Sequence, residues 1–304
     1  MGVNRRIYVS MPADPWLTDN ENELKWGVVK RIEQLGYIPE IFTDPTGRNS
    51  MSAAQAWSAS AAHEVAQHCQ GAAIIGLPRW ELRATDGPVF LPTEYCYYEG
   101  ALARTLGLPL LVLAQQRLMR RVVFDMSFGP YVGVFPDDAD KSWLDTPQFE
   151  VVFKTHWGSQ LKARKDVFFG YCSQASATAG ELRSFLESEV EATVLDWQRD
   201  FRPGRTILEE IEEARSRTSL GIFLFTKDDD LGLPGPGREA VPRDNVVFEA
   251  GYFAAAKGKG QVLVIREKGA RMPADLGGDI YGSIEDRGDL GSVKQTIRQF
   301  VAGL

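Results

Sequence analysis

The segment Arg243-Asp-Asn-Val-Val-Phe-Glu249-Ala-Gly-Tyr-Phe253 sets one carboxylate inside an apolar, aromatic stretch that reads as the buried start of a helix. An ionised carboxylate is costly to bury unless it is paired or hydrogen-bonded, so Glu249 is either a functional group or a well-paired structural one. Asp244 or Asn245 can cap the helix, which puts Glu249 within about its first turn, where the helix dipole favours negative charge. A fixed carboxylate in such a place can stabilise positive charge that develops beside it during a reaction. The same pattern recurs 150 positions earlier: Tyr98-Glu99-Gly100-Ala101 lies against Phe248-Glu249-Ala250-Gly251, and Glu99 is a candidate second site.

Short apolar strands alternating with helical patterns must position both glutamates, and that alternation is the mark of parallel-sheet α/β construction. In the second half, Asp166-Val-Phe-Phe-Gly-Tyr171, Ala192-Thr-Val-Leu195, Leu220-Gly-Ile-Phe-Leu-Phe225 and Gln261-Val-Leu-Val-Ile265 read as strands. The third is apolar throughout, as a central strand covered on both faces should be. Helical faces are formed by Leu182, Phe185, Leu186 and Val190, by Ile207, Leu208, Ile211 and Ala214, and from about Leu290 to Val301. Trp197 to Gly204 reads as a loop, and Asp228 to Pro242, rich in Gly and Pro, as a long mobile one.

The first half repeats the plan with strands at Arg6–Ser10, 37–42, 72–76 and 109–114, and helices along Leu24, Val28, Ile32 and Leu35, through about His68, and from Glu94 to Ala103. Leu77 to Pro92 reads as a loop, and Tyr131–Val134 and Phe149–Phe153 as further strands. The third strands also stand about 150 residues apart, which suggests a diverged internal duplication. The expected organisation is two flavodoxin-like α/β domains, each a parallel sheet flanked by helices, residues 1–160 and 165–304, with the boundary between Gly158 and Arg164. The length of 304 residues also fits two domains of about 150.

Composition narrows the function classes. A net charge of −7 offers no basic footprint for a nucleic-acid backbone, so no direct nucleic-acid partner is expected. Three isolated cysteines (Cys69, Cys96, Cys172) support neither a disulfide framework nor a zinc site and suit a reducing compartment. His63, His68 and His156 are too sparse for a metal centre. Residues 1–6 lack a signal-peptide core, and no apolar run approaches the ~18 residues of a membrane span, so a cytoplasmic location and no membrane partner are expected. No glycine run follows a strand at the spacing of a redox dinucleotide fold.

Several motifs of the second half, in order, resemble those of the bacterial TIR-like domains of anti-phage effectors. They are strand 167–171, Pro203-Gly-Arg-Thr-Ile-Leu-Glu209, strand 220–226, Asp228-Asp-Asp230, Pro242-Arg-Asp-Asn-Val-Val-Phe-Glu-Ala-Gly-Tyr-Phe253, and Met272-Pro-Ala-Asp-Leu276. Where that family's first loop often carries His-Gly, this chain has Tyr171-Cys172-Ser173. The resemblance implies cleavage of the nicotinamide glycosidic bond of NAD+, with Glu249 as the catalytic glutamate, NAD+ as substrate and no separate cofactor. It also implies conditional activity in a homo-oligomer, triggered by a nucleotide second messenger or a partner protein. The chemistry is consistent: nicotinamide leaves neutral, so no general acid is required, and one carboxylate suffices to stabilise the ribosyl cation.

Whether water or an adenine nitrogen captures that cation, giving ADP-ribose or a cyclic product, stays open, as does a non-catalytic nucleotide-binding module. Expected substrate contacts are Tyr171, Ser173, Trp197 and Thr226 on the strand rim, Asp230 and Asn245 nearby, and Arg202 and Arg205 for pyrophosphate. A partner glutamate, Glu209 or Glu212, is the competing role for the arginines. The first half loosely resembles the TIR and nucleoside deoxyribosyltransferase-like group and is expected to be a sensor or regulatory domain. A second glycosidic-bond enzyme or a structural partner are its alternatives, with Glu99 either catalytic or held by Tyr95, Tyr97 and Tyr98.

Overall fold

Apolar runs too short for helices and unbroken by polar residues can be satisfied only as strands covered on both faces, and the computed structural model places them so. It describes residues 3–42, 44, 47, 50–85, 87–129, 131–202, 204–230, 240–273 and 281–303. The chain divides into a compact unit of residues 5–163 and a second of residues 164–304, which also takes up residues 1–4.

In the first unit, β1 (Arg6–Ser10), β2 (Ile38–Glu40), β3 (Gly71–Gly76), β6 (Leu110–Gln115) and β7 (Val132–Phe135) form a parallel sheet in the order β2-β1-β3-β6-β7. Helices α1 (Asp19–Gln34), α2 (Ala59–Gln67) and α3 (Glu94–Thr105) connect the strands. In the second unit, β8 (Lys165–Gly170), β9 (Val194–Asp196), β10 (Thr218–Phe225), β13 (Val262–Glu267) and β14 (Tyr281–Ile284) stand in the order β14-β13-β10-β8-β9, all parallel. Its helices are α6 (Ser176–Ser188), the one-turn α7 (Trp197–Asp200), α8 (Ile207–Arg217), α9 (Asp244–Lys257) and α10 (Gly291–Ala302). Counted within each unit and leaving out the hairpins, both sheets have the order 2-1-3-4-5, the flavodoxin-like arrangement, with the chain reversing direction between the first and third strands. Glu99 and Glu249 sit in equivalent helices, each following the third sheet strand.

Helix starts follow local chemistry: reciprocal capping boxes open α1 (Thr18 with Glu21) and α8 (Thr206 with Glu209). Three expectations are corrected. Phe149–Phe153 is helical: Thr146 caps α4 (Pro147–Glu150), π-type turns run over Val151–Gly158, and α5 (Ser159–Ala163) completes the rod. Phe149, Val152, Phe153, Trp157 and Leu161 are buried at helical spacing, a period that five apolar residues alone do not reveal. Leu77–Pro92 contains an antiparallel hairpin, β4 (Trp80–Ala84) with β5 (Gly87–Leu91), turned by Gly87 at φ 120°. The start of the Trp197–Gly204 loop is the helical turn α7. The residue pattern alone ends the strands at Gln261–Ile265, whereas the edge strand β14, which follows no apolar run, is the last strand that the Met272–Leu276 motif stands ahead of. Of the Asp228–Pro242 loop, β11 (Asp229–Asp230) and β12 (Ala240–Val241) pair antiparallel, and 231–239 lie outside the described residues, as do 274–276 of the Met272–Leu276 motif.

Candidate active site

Glu249 stands in the second turn of α9, among Val246, Ala250 and Phe253, all buried. Arg243 occupies the N-cap position with no side-chain cap, so neither Asp244 nor Asn245 caps the helix, and Glu249 lies one or two residues further from the positive helix end than expected. The dipole effect falls off within the first turn, and burial decides instead. Glu249 is 8 % exposed, and among the described residues nothing hydrogen-bonds or ion-pairs with its carboxyl; burial alone pushes its pKa up to about 7. An aromatic wedge supports it: Phe253 stacks on Phe168, centroids 4.9 Å apart, and meets Phe223 edge-on at 5.4 Å. Room for the carboxyl comes from Gly170 at the end of β8. A methyl group there would lie 2.9 Å from Glu249 Oε2 and 2.6 Å from the Phe223 ring.

The carboxyl reaches a cleft of about 860 Å³, which Tyr171, Ser173, Trp197, Arg202, Arg205 and Asn245 also line. Seven of the nine substrate-site residues expected in this half therefore share one cavity at the carboxyl ends of β8 and β9, as parallel sheets require. Tyr171 is fixed: its hydroxyl donates to Asp196 Oδ1 at 2.8 Å, its carbonyl accepts Trp197 Nε1 at 2.9 Å, and Asp196 is itself paired with Arg183. Burial, reinforced by Asp196, raises the phenol's pKa above its ordinary value. Arg202 and Arg205 line the cleft but spend their charge on Glu213 and on Glu210, the latter 3.1 Å from Arg205, and not on Glu209 or Glu212. Glu209 is taken up by the Thr206 cap.

Thr226 does not line the cleft. It is fully buried and donates to Asp228 Oδ1 at 2.6 Å. Asp230 lies in β11, and its side chain falls outside the described residues. Sequence reasoning missed Gln174, Gln198, Phe201, Ile207 and Arg243, which also line the cleft. It also missed the buried network beside it: Asp228 and Glu267 both bind Arg287, at 3.1 and 3.2 Å, and Glu267 accepts the Lys227 amide. No local spacing announces such a network, since its members come from two loops and the end of β13. No cluster of three or more His, Cys, Asp or Glu among the described residues could hold a metal.

Glu99 belongs to the other unit and another cleft. Its carboxylate accepts the Tyr8 hydroxyl at 2.7 Å and Trp57 Nε1 at 2.8 Å, so Tyr95, Tyr97 and Tyr98 are not its donors. Helical geometry explains the correction: Tyr98 is the residue before Glu99 and points about 100° away, reaching the Ala59 carbonyl, while Tyr97 packs edge-on against Phe124.

A five-strand parallel sheet of this order, with a buried glutamate on the helix after its central strand and a cleft above the strand ends, defines a TIR-like domain. Residues 166–286 match the family model for the TIR domain of CAP12/Pycsar effector proteins, so the second unit is similar to the TIR domains of that bacterial effector family. Over 85 residues, 28 % of each chain, the protein is 38 % identical to an uncharacterized Escherichia coli (strain K12) protein, YuaY. It is 31 % identical over 111 residues to CD-NTase-associated protein 12 of Lachnospiraceae bacterium (strain RUG226), covering 36 % of this chain and 34 % of that one. With the Pycsar effector protein PaPycTIR of Pseudomonas aeruginosa it shares 30 % identity over 114 residues, 36 % of each. The chain thus spans about a third of the length of the curated relatives it matches. No helix among the described residues is long and apolar enough to cross a membrane.

Proposed function

We propose that the second domain is an NAD+ glycohydrolase that releases nicotinamide and ADP-ribose, acting as the effector of an anti-phage system. The observation that carries this reading is Glu249: an unpaired, buried carboxyl at a cleft roomy enough for a dinucleotide, in a TIR domain of an effector family. The C1′–N bond breaks with its electron pair going to nicotinamide, which leaves neutral. Positive charge builds on the ribose, and the Glu249 carboxylate stabilises it in a site where little water competes. Water then adds to C1′ and releases its proton to solvent. Capture by an adenine nitrogen instead would give a cyclic ADP-ribose from the same first step. Tyr171 and Trp197, held by Asp196 and by each other, supply a rigid aromatic wall for the substrate's rings.

Activity is conditional in this reading, since a constitutive enzyme would drain its host. Relatives named as CD-NTase-associated and Pycsar effectors favour a nucleotide signal as the trigger, and the active form in this reading is a homo-oligomer. Incubating the purified chain with NAD+, with and without candidate cyclic nucleotides, and separating nicotinamide, ADP-ribose and cyclic products tests the proposal. Absence of nicotinamide under every condition would overturn it.

The raised pKa of Glu249 adds a pH signature. The proton must leave before the carboxylate can stabilise a cation, so kcat/KM should rise with pH through a midpoint near 7. In kcat the midpoint should lie lower, because the cationic nicotinamide ring of bound substrate favours the ionised form. A kcat/KM flat from about pH 5.5 to about pH 8 contradicts the role assigned to Glu249.

A further inference from the structure

The first domain holds a second cleft, of about 380 Å³, at the carboxyl ends of its strands, and Glu99 lines it. Trp16, Trp80 and Tyr95 border it with 60 %, 47 % and 47 % of their surface exposed. Three large rings left wet around one cavity form an apolar patch of the kind that marks a binding site. Arg79 lies between two of them, its guanidinium carbon 3.8 Å from the Trp16 ring and 4.5 Å from Trp80. Two indole rings thus pack against the guanidinium, while no carboxylate among the described residues pairs with it. Its edge donors stay available for an anion.

Glu99 completes the set. Tyr8 and Trp57 both donate to Oε1, which fixes the carboxylate and leaves Oε2 as the acceptor without a geometric hydrogen bond from the described residues. Ser10, 2 % exposed, is the remaining polar neighbour, and its hydroxyl finds no partner of good geometry. A carboxylate that served only to satisfy Tyr8 and Trp57 would not need to line a cavity. The cleft joins flat aromatic walls, a fixed acceptor for hydroxyl or N–H donors, and a guanidinium for an anion. Its size is at the small end of ligand clefts, roughly 300–1,000 Å³, and less than half that of the Glu249 cleft, which disfavours a dinucleotide.

We propose that the Glu99 cleft binds a mononucleotide, with its base on the aromatic walls, a ribose hydroxyl or base N–H on Glu99 Oε2, and its phosphate on Arg79. Glu99 is then a binding residue. This is a site separate from the Glu249 cleft and does not depend on the reading of that cleft.

The test is equilibrium binding to the full chain, read by calorimetry and by quenching of the cleft tryptophans. The probes are nucleosides, their 5′-monophosphates, 3′,5′-cyclic mononucleotides and NAD+, with the chain carrying Glu249→Gln so that dinucleotide stays intact. At least one mononucleotide should bind about tenfold or more tighter than its own nucleoside, and NAD+, a ligand of the other cleft, should bind equally well with or without Arg79→Gln. Comparing 5′- and cyclic monophosphates identifies which source of phosphate the cleft accepts. Arg79→Gln should weaken the nucleotide about tenfold and leave the nucleoside unchanged, and Glu99→Gln should weaken both. Arg79 is half-buried and outside the core, so its variant decides the matter even if Glu99→Gln fails to fold. The proposal is overturned if no mononucleotide binds, or if its binding is indifferent to Arg79→Gln. No turnover is measured, so either result leaves the NAD+ reading to its own assay.

Discussion

Glu249→Gln is expected to lower nicotinamide release by about two decades or more, roughly 3 kcal/mol of transition-state stabilisation, while making the protein more stable in alkaline buffer. The two effects share one cause. A folded-state pKa raised from 4.5 to about 7 means that the folded protein keeps its Glu249 proton where the unfolded chain has lost it. Between these values the folded state binds more protons than the unfolded state, so stability falls as pH rises. The full penalty, about 3 kcal/mol, is present only above the folded pKa. Glutamine is neutral throughout. The variant and the parent should melt together near pH 5, and the variant should melt roughly 10 °C higher at pH 8. A structural glutamate held by partners predicts the opposite, a variant less stable at every pH with no specific loss of rate. Full activity in a folded Glu249→Gln chain would sink the assignment.

The legible parts of this protein are those that a local pattern specifies. Leu220 to Phe225 carries no polar residue and therefore reads as a strand with two covered faces, and it is central in its sheet. Glu249 is conspicuous because its neighbours are apolar, and the 150-residue offset to Glu99 exposes the repeated topology. What stayed hidden depends on partners distant in sequence. Phe149–Phe153 is too short to separate period 2 from period 3.6, and only Trp157 and Leu161, further along, show the helical face. β14 is an edge strand that covers little core and so carries little apolar signal. The packing of Arg79 needs Trp16 and Trp80, 64 positions apart, and the pairing of Arg287 with Asp228 and Glu267 needs two loops and the end of β13. The pairing of Arg202 and Arg205 with Glu213 is a register question: the loop before α8 folds back along the helix, and the glutamate two turns in meets it rather than the one at the cap.

Gly170→Ala should damage the site without touching any group that reacts. The added methyl would approach the Phe223 ring to 2.6 Å and Glu249 Oε2 to 2.9 Å; Phe223 is locked against Phe253 in the core, so the carboxyl is the group that must move. Overpacking of this kind costs about 1–3 kcal/mol. Displacing the carboxylate by about an ångström also removes its alignment with the ribose, which can cost up to about 100-fold in rate. Gly221→Ala separates the two contributions. Its methyl would meet the same aromatic wedge, Phe223 at 2.7 Å and Phe253 at 2.9 Å, and its nearest neighbours are those rings rather than Glu249. The two variants should lose similar stability, and Gly170→Ala should lose far more kcat, with KM for NAD+ little changed. The excess should vanish when each is combined with Glu249→Gln, since a carboxylate that is absent cannot be misplaced. If the two alanines lower kcat equally, the position of the Glu249 carboxyl does not limit the reaction, and the electrostatic role proposed for it fails along with Gly170 as the residue that makes room for it.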